Sequence, residues 1–475
     1  MKNVYIPTIG LEIHAELKTQ TKMFCDSKND PDEKRPNVNI CPVCMGHPGT
    51  LPVINKEAVK HVLKIGVAVG GTLADDTRFD RKNYFYPDIP KGYQISQFEY
   101  PLVSGGYLNG VALTRVHLEE DTGRSAHDIG EYSLVDFNRA GMPLMELVTE
   151  PVIQDAKEAV NFARELQLLL RYLEASDANL EKGEMRIEAN VSVSAGLEKG
   201  TKVEIKNLNS FKAVEKAIQF EISRQIELLE QDKKIAQETR GWDENKEKTF
   251  SQRVKESSHD YRYFPEPDLP NLRLSEIPEF DSRSMKKEIP ELPWEKRERV
   301  KKIFSLNSEA VEMLVGDPQL GLFFDTVAGI LGNDISSVKI LANYLTSDLV
   351  SLINASGIRD WRKSIDESRF AELISMIKED VISSRAAKYI LSMMFGGDTR
   401  LPSEIAEKEK LFQQNDSNEL QKIIQEAITE NKEVFQEYKN GKEQSLQYLI
   451  GQVMKKTRGA ANPKVVSDAI KKLRS

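Results

Sequence analysis

The chain has 475 residues, of which 29% are charged and 40% hydrophobic, and its formal net charge is −8. This composition is that of an ordinary soluble globular protein, and the length predicts roughly three domains. No apolar run approaches the roughly 20 residues of a membrane span, which argues against a membrane protein. The net negative charge argues against a general nucleic-acid coat or a DNA-binding protein, although it leaves room for a local basic patch.

Cysteine usage and the start of the chain bear on the compartment. The chain has three cysteines, an odd number that does not make a disulfide framework and that predicts a reducing compartment. Residues 1–7 are too short and too mixed for a signal peptide, and they continue directly into strand-like sequence. We therefore expect a cytoplasmic protein.

Residues 1–270 predict strands, turns and a few helices. Apolar and polar residues alternate over 9–14, 185–193 and 203–207, which is the pattern of half-buried strands. The polar faces of these strands carry carboxylates, an imidazole and cations instead of the usual Thr, Lys and Ser. Amphipathic patterns predict helices over 156–173 and 212–229.

The pattern changes after residue 267. Prolines at positions 267, 270, 278, 290 and 293 predict a linker or a domain boundary. The sequence beyond is helix-like to the C-terminus, and Gly396, Gly397 and Pro402 mark a second boundary near residue 405.

The last segment, residues 454–475, is strongly basic, with seven cations against one anion. In a chain of negative net charge this asymmetry predicts a surface that contacts phosphates, and the alternative is a solvated basic helix at a terminus. The candidate contacts are Lys455, Lys456, Arg458 and Lys464.

Residues 79–97 combine five Tyr or Phe rings with three cations and several amides. Solvated loops seldom contain so many aromatic rings, and packed cores seldom contain so many cations. The mixture predicts a half-exposed surface that holds a polar partner, and the alternative is a surface turn pinned by its rings. The candidate contacts in this segment are Lys82, Tyr84, Tyr86, Tyr93, Gln94 and Ser96.

Several nucleotide and hydrolase motifs are absent from the sequence. No two glycines stand two residues apart, which excludes the Gly-x-Gly-x-x-Gly fingerprint of dinucleotide-binding proteins. Glu443 follows the Gly441-Lys442 pair, so a Walker A loop is excluded. Neither a thiol-hydrolase setting nor a Gly/Ser-rich amidase stretch is visible. A nucleotide would have to bind through carboxylate-bound magnesium in an unusual cleft.

Carboxylates on strand faces are the main chemical feature. Glu12 shares a strand face with His14, and a second candidate strand, 113–121, ends in three acids. Three more predicted segments contribute Glu146, Glu188 and Glu204. Clustered oxygens of this kind suit Mg²⁺, which also binds phosphate oxygens during phosphoryl transfer. The alternative is that these acids are solvated strand residues.

The cysteines form a second candidate metal site. Cys41 and Cys44 stand in a Cys-x-x-Cys motif, and Cys25 lies sixteen residues upstream of it. A structural zinc site needs four N or S ligands in tetrahedral array, and only three thiols exist. Candidates to complete the site are Asp26, Asp30, Asp32 and His47, and the alternative is that no metal binds.

Six motifs together resemble one family over essentially the whole chain. They are residues 10–14, 41–46, 80–97, 118–121, 206–211 and 260–268, followed by a tail, 451–464, similar to the YqeY type. The chain resembles GatB, the B subunit of the tRNA-dependent aspartyl/glutamyl amidotransferases (GatCAB). The resemblance implies an α+β fold: a mainly β cradle domain with an antiparallel sheet (1–292), an all-α helical domain (293–405) and a small all-α tail (406–475).

The resemblance also implies a reaction and partners. The glutaminase of the complex, GatA, would release ammonia from glutamine, and a small third protein, GatC, would complete a heterotrimer. GatB would bind misacylated Glu-tRNA(Gln) or Asp-tRNA(Asn) and use ATP and Mg²⁺ to phosphorylate the side-chain carboxylate. Ammonia arriving through a channel would then displace phosphate and form the amide. The basic tail would bind the elbow of the tRNA.

Carried over position by position, the family's magnesium site falls on Glu12, His14, Glu120 and Glu204. The other expected catalytic residues are Glu146, Glu188 and Lys206, and further expected tRNA contacts are Arg139, Asn207, Asn209 and Ser210. Strict alternation places Glu119, not Glu120, on the face of Arg115 and His117, so both remain candidates. Many members carry Cys-x-Cys where this chain has Cys25-Asp26-Ser27, which leaves zinc open.

Two rival interpretations have distinct expectations. The archaeal relative of GatB carries a large insertion before the tail. The sequence from residue 295 to 442 is continuously helix-like, which leaves no room for such an insertion. A non-catalytic tRNA-binding scaffold would need the basic tail and could lose its cleft acids without loss of binding.

Overall fold

The computed structural model describes residues 4–126, 130–196, 198–254, 261–358, 360–413, 417–457 and 461–473. The chain forms two compact units, Met1–Pro293 and Trp294–Ser475. The first unit is built mainly from strands and the second from helices. This arrangement confirms the predicted α+β class, in which a large β-rich domain precedes a helical region.

The first unit contains the strands and the first helices of the described chain. The strands are β1 (Ile6–Glu16), β2 (Thr72–Leu73), β3 (Asp76–Thr77), β4 (Asp80–Asn83), β5 (Tyr93–Ser96), β6 (Val103–Ser104), β7 (Tyr107–Leu108), β8 (Val111–Glu120), β9 (Arg124–Ala126), β10 (Leu134–Asp136), β11 (Pro143–Thr149), β12 (Met185–Ser194), β13 (Val203–Leu208), β14 (Glu238–Asp243), β15 (Lys248–Val254), β16 (Phe264–Pro265) and β17 (Leu272–Arg273). The helices are α1 (Lys56–Ala68), α2 (Ala156–Tyr172), α3 (Phe211–Glu230) and α4 (Ser282–Glu288).

One large sheet frames this unit. Its strand order is β15-β14-β13-β12-β1-β11-β8-β6-β2, and β7 pairs with β8 beside that path. The named neighbours run antiparallel except for β13 and β14, which are parallel. A small sheet, β16-β4-β5, carries part of the ring-rich segment 79–97. Strand β1 therefore lies in the middle of the large sheet, between β11 and β12.

The sequence of β1 explains its position. Ile9, Leu11, Ile13 and Ala15 alternate along one face, and each is 0% exposed. Helix α2 packs against β1, and α3 packs against β12 and β13, so helices cover this apolar face. Asp155 caps α2 and Ser210 caps α3, each accepting a hydrogen bond from a backbone N–H of the first turn. The opposite face of the sheet is left for polar side chains.

The proline-rich stretch from residue 267 to 293 is more ordered than predicted. It contains β17, the 3₁₀ turns Leu274–Glu276 and Pro278–Phe280, and helix α4. Helix α4 packs against α1, and Glu288 pairs with Lys60 and Lys64 of α1. The prolines occupy turns and the starts of short elements, positions that need no backbone N–H donor. The stretch is therefore structured and part of the first unit, and the division between the two units follows its last proline, Pro293.

The second unit is helical. Its helices are α5 (Pro293–Phe304), α6 (Ser308–Gly316), α7 (Pro318–Ile330), α8 (Ile335–Asn343), α9 (Val350–Ser356), α10 (Glu367–Lys378), α11 (Ser384–Phe395), α12 (Pro402–Lys408), α13 (Ser417–Glu430), α14 (Lys432–Lys439), α15 (Glu443–Lys456) and α16 (Pro463–Lys472), with a π-helical turn at Tyr344–Leu349 and a 3₁₀ turn at Trp361–Ser364. Helices α13–α16 share a core that includes Ile424, Tyr438, Leu449 and Val466. The domain limits at residues 292 and 405 stay predictions. No helix in the described ranges is both long and apolar enough to cross a bilayer.

Replacing Ile13 by Ala tests whether the apolar face of β1 holds the sheet together. We expect the free energy of unfolding to fall by about 2–5 kcal/mol, because the substitution leaves a cavity in a fully buried face. Ile6→Ala is the matched control on the same strand, since Ile6 is 41% exposed, and should cost about 0.5 kcal/mol or less. Urea unfolding followed by circular dichroism measures both, and equal losses would contradict the assignment.

Candidate active site

A polar cleft of about 410 Å³ lies on the uncovered face of the large sheet. Strands β1, β8, β11, β12 and β13 supply most of its wall, and the segment after residue 260 closes one side. Its lining includes Glu12, His14, Lys82, Tyr84, Gln94, Gln97, Arg115, His117, Glu119, Glu146, Arg186, Glu188, Glu204, Lys206, Tyr261 and Tyr263. The cleft thus joins acids and cations that are far apart in sequence.

Strand register explains why these side chains meet. Across the sheet, Arg186 of β12 pairs with His14 of β1, His14 pairs with Glu146 of β11, and Glu146 pairs with His117 of β8. Directly paired residues project to the same face, so these four side chains form one row. Two residues back along β1, Glu12 pairs with Glu188 and starts a second row on the same face.

The second row contains an acid cluster. Carboxylate oxygens of Glu12, Glu188 and Glu204 all lie within 4.8 Å of one another. Asn190 donates to Glu12 Oε1 at 2.7 Å, and Thr239 donates to Glu204 Oε2 at 2.6 Å. These bonds fix the orientation of the Glu12 and Glu204 carboxylates within the cluster.

Lys206 supplies a cation beside this cluster. Its Nζ lies 2.9 Å from Glu188 Oε2 and 3.9 Å from Glu204 Oε1. Burial favours the neutral amine, but the charges of Glu188 and Glu204 outweigh it and raise the pKa of Lys206. The side chain is therefore an ammonium in the cleft.

His14 and Glu146 of the first row form a mixed cluster with Glu119, and the ligating atoms of these three side chains also lie within 4.8 Å of one another. His14 Nε2 is 3.4 Å from Glu146 Oε2, and His117 Nε2 is 3.3 Å from the same oxygen. Burial opposes the charged ring, yet the hydrogen bond and charge of Glu146 raise the pKa of His14. Burial equally opposes the charged form of Glu146, but His117 and His14 lower the pKa of Glu146 well below its usual value.

His117 experiences two opposing influences. Against its burial, the charge of Glu146 and the bond to Glu119 raise the pKa of His117 to about 9. Arg115 Nε, in contrast, points at His117 Nδ1 at 3.3 Å, a bond that needs this nitrogen unprotonated. We take the doubly protonated ring as the neutral-pH state, because two buried carboxylates contact it and the Arg115 bond is long. Arg115 retains an approach of 4.0 Å to Glu146.

Of the two candidates on β8, Glu119 lines the cleft, on the face that strict alternation indicates, whereas Glu120, the candidate from the family resemblance, lines a different cavity. Alternation along β8 sends the two side chains to opposite faces. Glu119 Oε2 accepts a hydrogen bond from Ser96 at 2.9 Å, on the cleft side. Glu120 instead accepts from Lys91 at 2.5 Å and from the backbone N–H of Ile95 at 2.9 Å, beside a separate cavity of about 210 Å³.

Aromatic rings surround a half-buried cation, Lys82, at one side of the cleft. Lys82 Nζ lies 5.0 Å from the ring centre of Tyr261 and 5.7 Å from that of Tyr84. Tyr84 donates to Gln94 Oε1 at 3.1 Å, and Phe98 stacks on Tyr263 with ring centres 4.3 Å apart. Burial disfavours the Lys82 ammonium, but the charge of Glu119 is large enough to raise its pKa. Such rings offer stacking faces for a nucleobase.

Several predicted contacts lie outside the cleft lining. Tyr86 is 56% exposed on its outer side, and Tyr93 lies under the Arg81 guanidinium and lines the cavity beside Glu120. Arg139 donates to the carbonyls of Thr122 and Gly123. The remaining three are Asn207 and Asn209, which are exposed or half-buried, and Ser210, which caps α3. The last is a structural role that the sequence did not reveal.

The basic tail residues lie in the second unit. Lys455 and Lys456 end helix α15, and Lys464 begins α16. All three are exposed, and Lys456 already pairs with Glu430 at 2.6 Å. Arg458 lies outside the described residues. The exposed cations are available to a partner, whereas Lys456 would have to leave an internal ion pair.

Cys25, Cys41 and Cys44 come together, with their sulfur atoms within 4.8 Å of one another. None of the four proposed completing ligands joins them within that distance in the described ranges. Asp30 pairs with Lys28 at 2.7 Å and Asp32 with Lys182 at 2.8 Å. The trio therefore supplies three of the four ligands of a structural zinc site.

The residues missed by sequence reasoning are mainly cations and rings. Arg115 and His117 share the cleft face with Glu119. The alternation of side chains along residues 113–121 is enough to predict this shared face. Arg186 alternates with Glu188 in the same way. Tyr261 and Tyr263 reach the cleft only through pairing of β16 with β4, a long-range contact without a local sequence pattern.

Comparison with known proteins confirms the resemblance drawn from the motifs. The GatB/GatE catalytic domain matches residues 7–277, and the GatB domain matches residues 323–473. The B subunit of the aspartyl/glutamyl-tRNA(Asn/Gln) amidotransferase of Thermodesulfovibrio yellowstonii is 43% identical, with 99% of each chain covered. The corresponding proteins of Thermoanaerobacter pseudethanolicus and Gloeothece citriformis are 42% and 40% identical, with 98% and 99% of this chain and 98% of each relative covered. The chain therefore belongs to the GatB family, the B subunits of the aspartyl/glutamyl-tRNA(Asn/Gln) amidotransferases, and is a component of a ligase-type transamidase whose reaction depends on tRNA.

Proposed function

We propose that this chain carries the kinase and transamidase steps of an ATP-dependent conversion of misacylated Glu-tRNA(Gln), Asp-tRNA(Asn) or both to the amidated forms. The side-chain carboxylate of the aminoacyl group would be phosphorylated, and ammonia would displace the phosphate. The observation that carries this proposal is the cleft in which Glu12, Glu188 and Glu204 face one another beside Lys206 and Lys82. Family membership makes tRNA the macromolecular substrate.

The acid cluster fits Mg²⁺ by donor chemistry. Magnesium prefers hard oxygen ligands, retains waters, and is usually held by few carboxylates together with substrate phosphates. Glu12, Glu188 and Glu204 would hold it, and when bound it would neutralise phosphate charge during transfer. The first row has less need of a metal, because the His117 imidazolium and the His14 ring already contact Glu119 and Glu146.

The cationic side chains of the cleft support phosphoryl transfer directly. Positioning and electrostatic stabilisation provide most of the catalysis in this reaction class, since the charge of the transferred group is spread over its oxygens. Lys206 and Lys82 are half-buried ammonium groups, and Arg186 is fixed by a 2.9 Å bond to Asp121. These groups would hold phosphate oxygens, while Tyr84, Tyr261 and Tyr263 would hold the terminal base of the tRNA or the adenine of ATP.

The second step needs ammonia and loses a phosphate. Ammonia nitrogen attacks the acyl carbon, the bond from that carbon to the phosphate oxygen breaks, and inorganic phosphate leaves. The nitrogen must then lose a proton, for which the cleft offers carboxylates on both rows. We infer that a glutaminase of the GatA type supplies the ammonia and that a small GatC protein completes a cytoplasmic heterotrimer, because the sequence shows no Gly/Ser-rich amidase stretch. The basic surface of α15 and α16 would bind the tRNA elbow.

Replacing Glu12 by Gln tests the magnesium assignment. We expect the concentration of Mg²⁺ needed for half-maximal amide formation to rise roughly 10- to 100-fold, because one charged oxygen ligand is lost. Binding of the misacylated tRNA should stay close to normal. Titration of Mg²⁺ with ammonium as the nitrogen source measures the effect. Glu198→Gln, an exposed change after β12, is the control, and a scaffold protein would show the same activity for both variants.

Glu119→Gln and Glu120→Gln separate the two faces of β8. Glu119 contacts His14 and His117 in the cleft, so its loss should lower tRNA-dependent phosphate formation from ATP by roughly 10²-fold or more. Glu120 pairs with Lys91 on the other face, so its variant should keep that step. Phosphate release measured without any ammonia source compares them. A larger loss for Glu120→Gln would place Glu120 at the phosphoryl site instead.

A further inference from the structure

Residues 261–268, here called the ring segment, bring Tyr261 and Tyr263 into the lining of the cleft. The strand of this segment, β16, pairs with β4 over two residues, which is short for a strand of a globular protein. Because the backbone pairing is so short, the position of the ring segment depends largely on side-chain bonds.

Arg81 of β4 makes the strongest of these side-chain bonds. Its Nε donates to Glu266 Oε2 at 2.7 Å and its Nη2 donates to Glu266 Oε1 at 2.9 Å, so the two side chains form a bidentate ion pair. The same Nη2 donates to Asp268 Oδ2 at 3.1 Å, and the guanidinium carbon lies 4.2 Å from the ring centre of Tyr93. The Glu266 side chain is 0% exposed. Bidentate pairs of this kind fix geometry as well as adding energy, so the pair sets the position of Glu266.

Strand β4 connects this ion pair to the cleft. Alternation places Arg81 and Lys82 on opposite faces of the strand, and Lys82 Nζ lies 5.0 Å from the ring centre of Tyr261 in the cleft. The next residue, Asn83, donates to the carbonyl of Tyr261 at 3.2 Å and to the carbonyl of the residue after it at 2.8 Å. The ring segment is therefore attached to β4 at its start by Asn83 and near its end by Arg81, with both tyrosines in between.

We propose that Arg81 and Glu266 are positioning residues of the cleft, whose ion pair holds Tyr261 and Tyr263 where the substrate binds. Neither Arg81 nor Glu266 belongs to the cleft lining, so the pair acts through the two rings. The inference rests on the proposed function in one point, namely that these rings hold the terminal base of the tRNA or the adenine of ATP. A purely structural pair would change only the stability of the fold, whereas a positioning pair changes the affinity for substrate.

Hydrogen exchange tests whether the pair holds the ring segment, without any substrate. The full chain, assembled with its partner proteins, would exchange in deuterated water, and mass spectrometry would follow peptides that cover residues 261–268. We expect Glu266→Gln to exchange roughly 10-fold faster there than the wild type, because a charge-assisted bidentate pair is lost.

Glu99→Gln is the matched control for this measurement. Glu99 pairs with Arg78 at 2.6 Å, and Arg78 also lies over a tyrosine ring, but both residues lie outside the ring segment. The control should therefore exchange like the wild type over residues 261–268. Equal exchange in Glu266→Gln and the wild type would overturn the proposal.

Steady-state kinetics of the assembled enzyme, with ammonium as the nitrogen source, tests the effect on substrate. Glu266→Gln should raise the KM for ATP or for the misacylated tRNA roughly 10-fold or more, while kcat stays within about two-fold, because the reacting groups are unchanged. Arg81→Lys is the second variant, and it should give a smaller rise, because it keeps the charge and loses the bidentate geometry. In a Tyr263→Ala background, Glu266→Gln should add little to the rise in KM, because a ring through which it acts is gone.

The outcomes separate the ion pair from the proposed function. A lower melting temperature of Glu266→Gln with unchanged KM values for both substrates would show a purely structural pair and would overturn the proposal. Absence of amide formation by the wild-type enzyme would instead contradict the proposed function, and the hydrogen exchange of residues 261–268 would then decide on the pair.

Discussion

The arrangement of the cleft depends on the pairing of one strand. Strand β1 is buried along one face by Ile9, Leu11, Ile13 and Ala15, and this apolar face fixes its register between β11 and β12. A shift of one residue would turn the buried face to solvent, so the register is strongly determined. The same register places Glu12 and His14 opposite acids and cations of the neighbouring strands. The energy that stabilises the sheet therefore also assembles the site.

Charge balance is the second constraint on the cleft. Buried carboxylates are tolerated only when cations or hydrogen bonds compensate them. His14, His117 and Arg115 lie around Glu119 and Glu146, so this half of the cleft has no surplus of negative charge. Lys206 compensates only part of the charge of Glu12, Glu188 and Glu204. The half with residual negative charge is where a divalent cation is most strongly favoured.

The sequence predicted much of this site, and the limits have physical reasons. Alternation within single strands correctly grouped Glu12 with His14 and Glu188 with Arg186, because side-chain direction is a local property of a strand. The choice between Glu119 and Glu120 needed the position of β8 in the sheet, although alternation pointed to Glu119. Tyr261 reaches the cleft through long-range pairing of β16, which has no local signature. Ser210 was expected to contact tRNA from the family resemblance, and its cap of α3 was not predicted because it depends on where that helix begins.

The two sides of β8 show how neighbouring residues can serve separate environments. Glu119 faces the cleft and its histidines, and Glu120 faces Lys91 and the cavity next to the cysteine cluster. The backbone that joins them is shared, so a displacement of the strand would move both carboxylates. The loop that carries Cys44 forms part of the wall of this second cavity.

The measurement that tests the central claim most directly is an isotope transfer. Misacylated tRNA carrying oxygen-18 in the side-chain carboxylate of its glutamyl group would be incubated with the assembled enzyme, ATP, Mg²⁺ and ammonium. If the carboxylate is phosphorylated, one labelled oxygen must leave with inorganic phosphate when ammonia displaces it, and mass spectrometry would find labelled phosphate in step with the amide. Amide formed with unlabelled phosphate would contradict an acyl-phosphate route through this cleft.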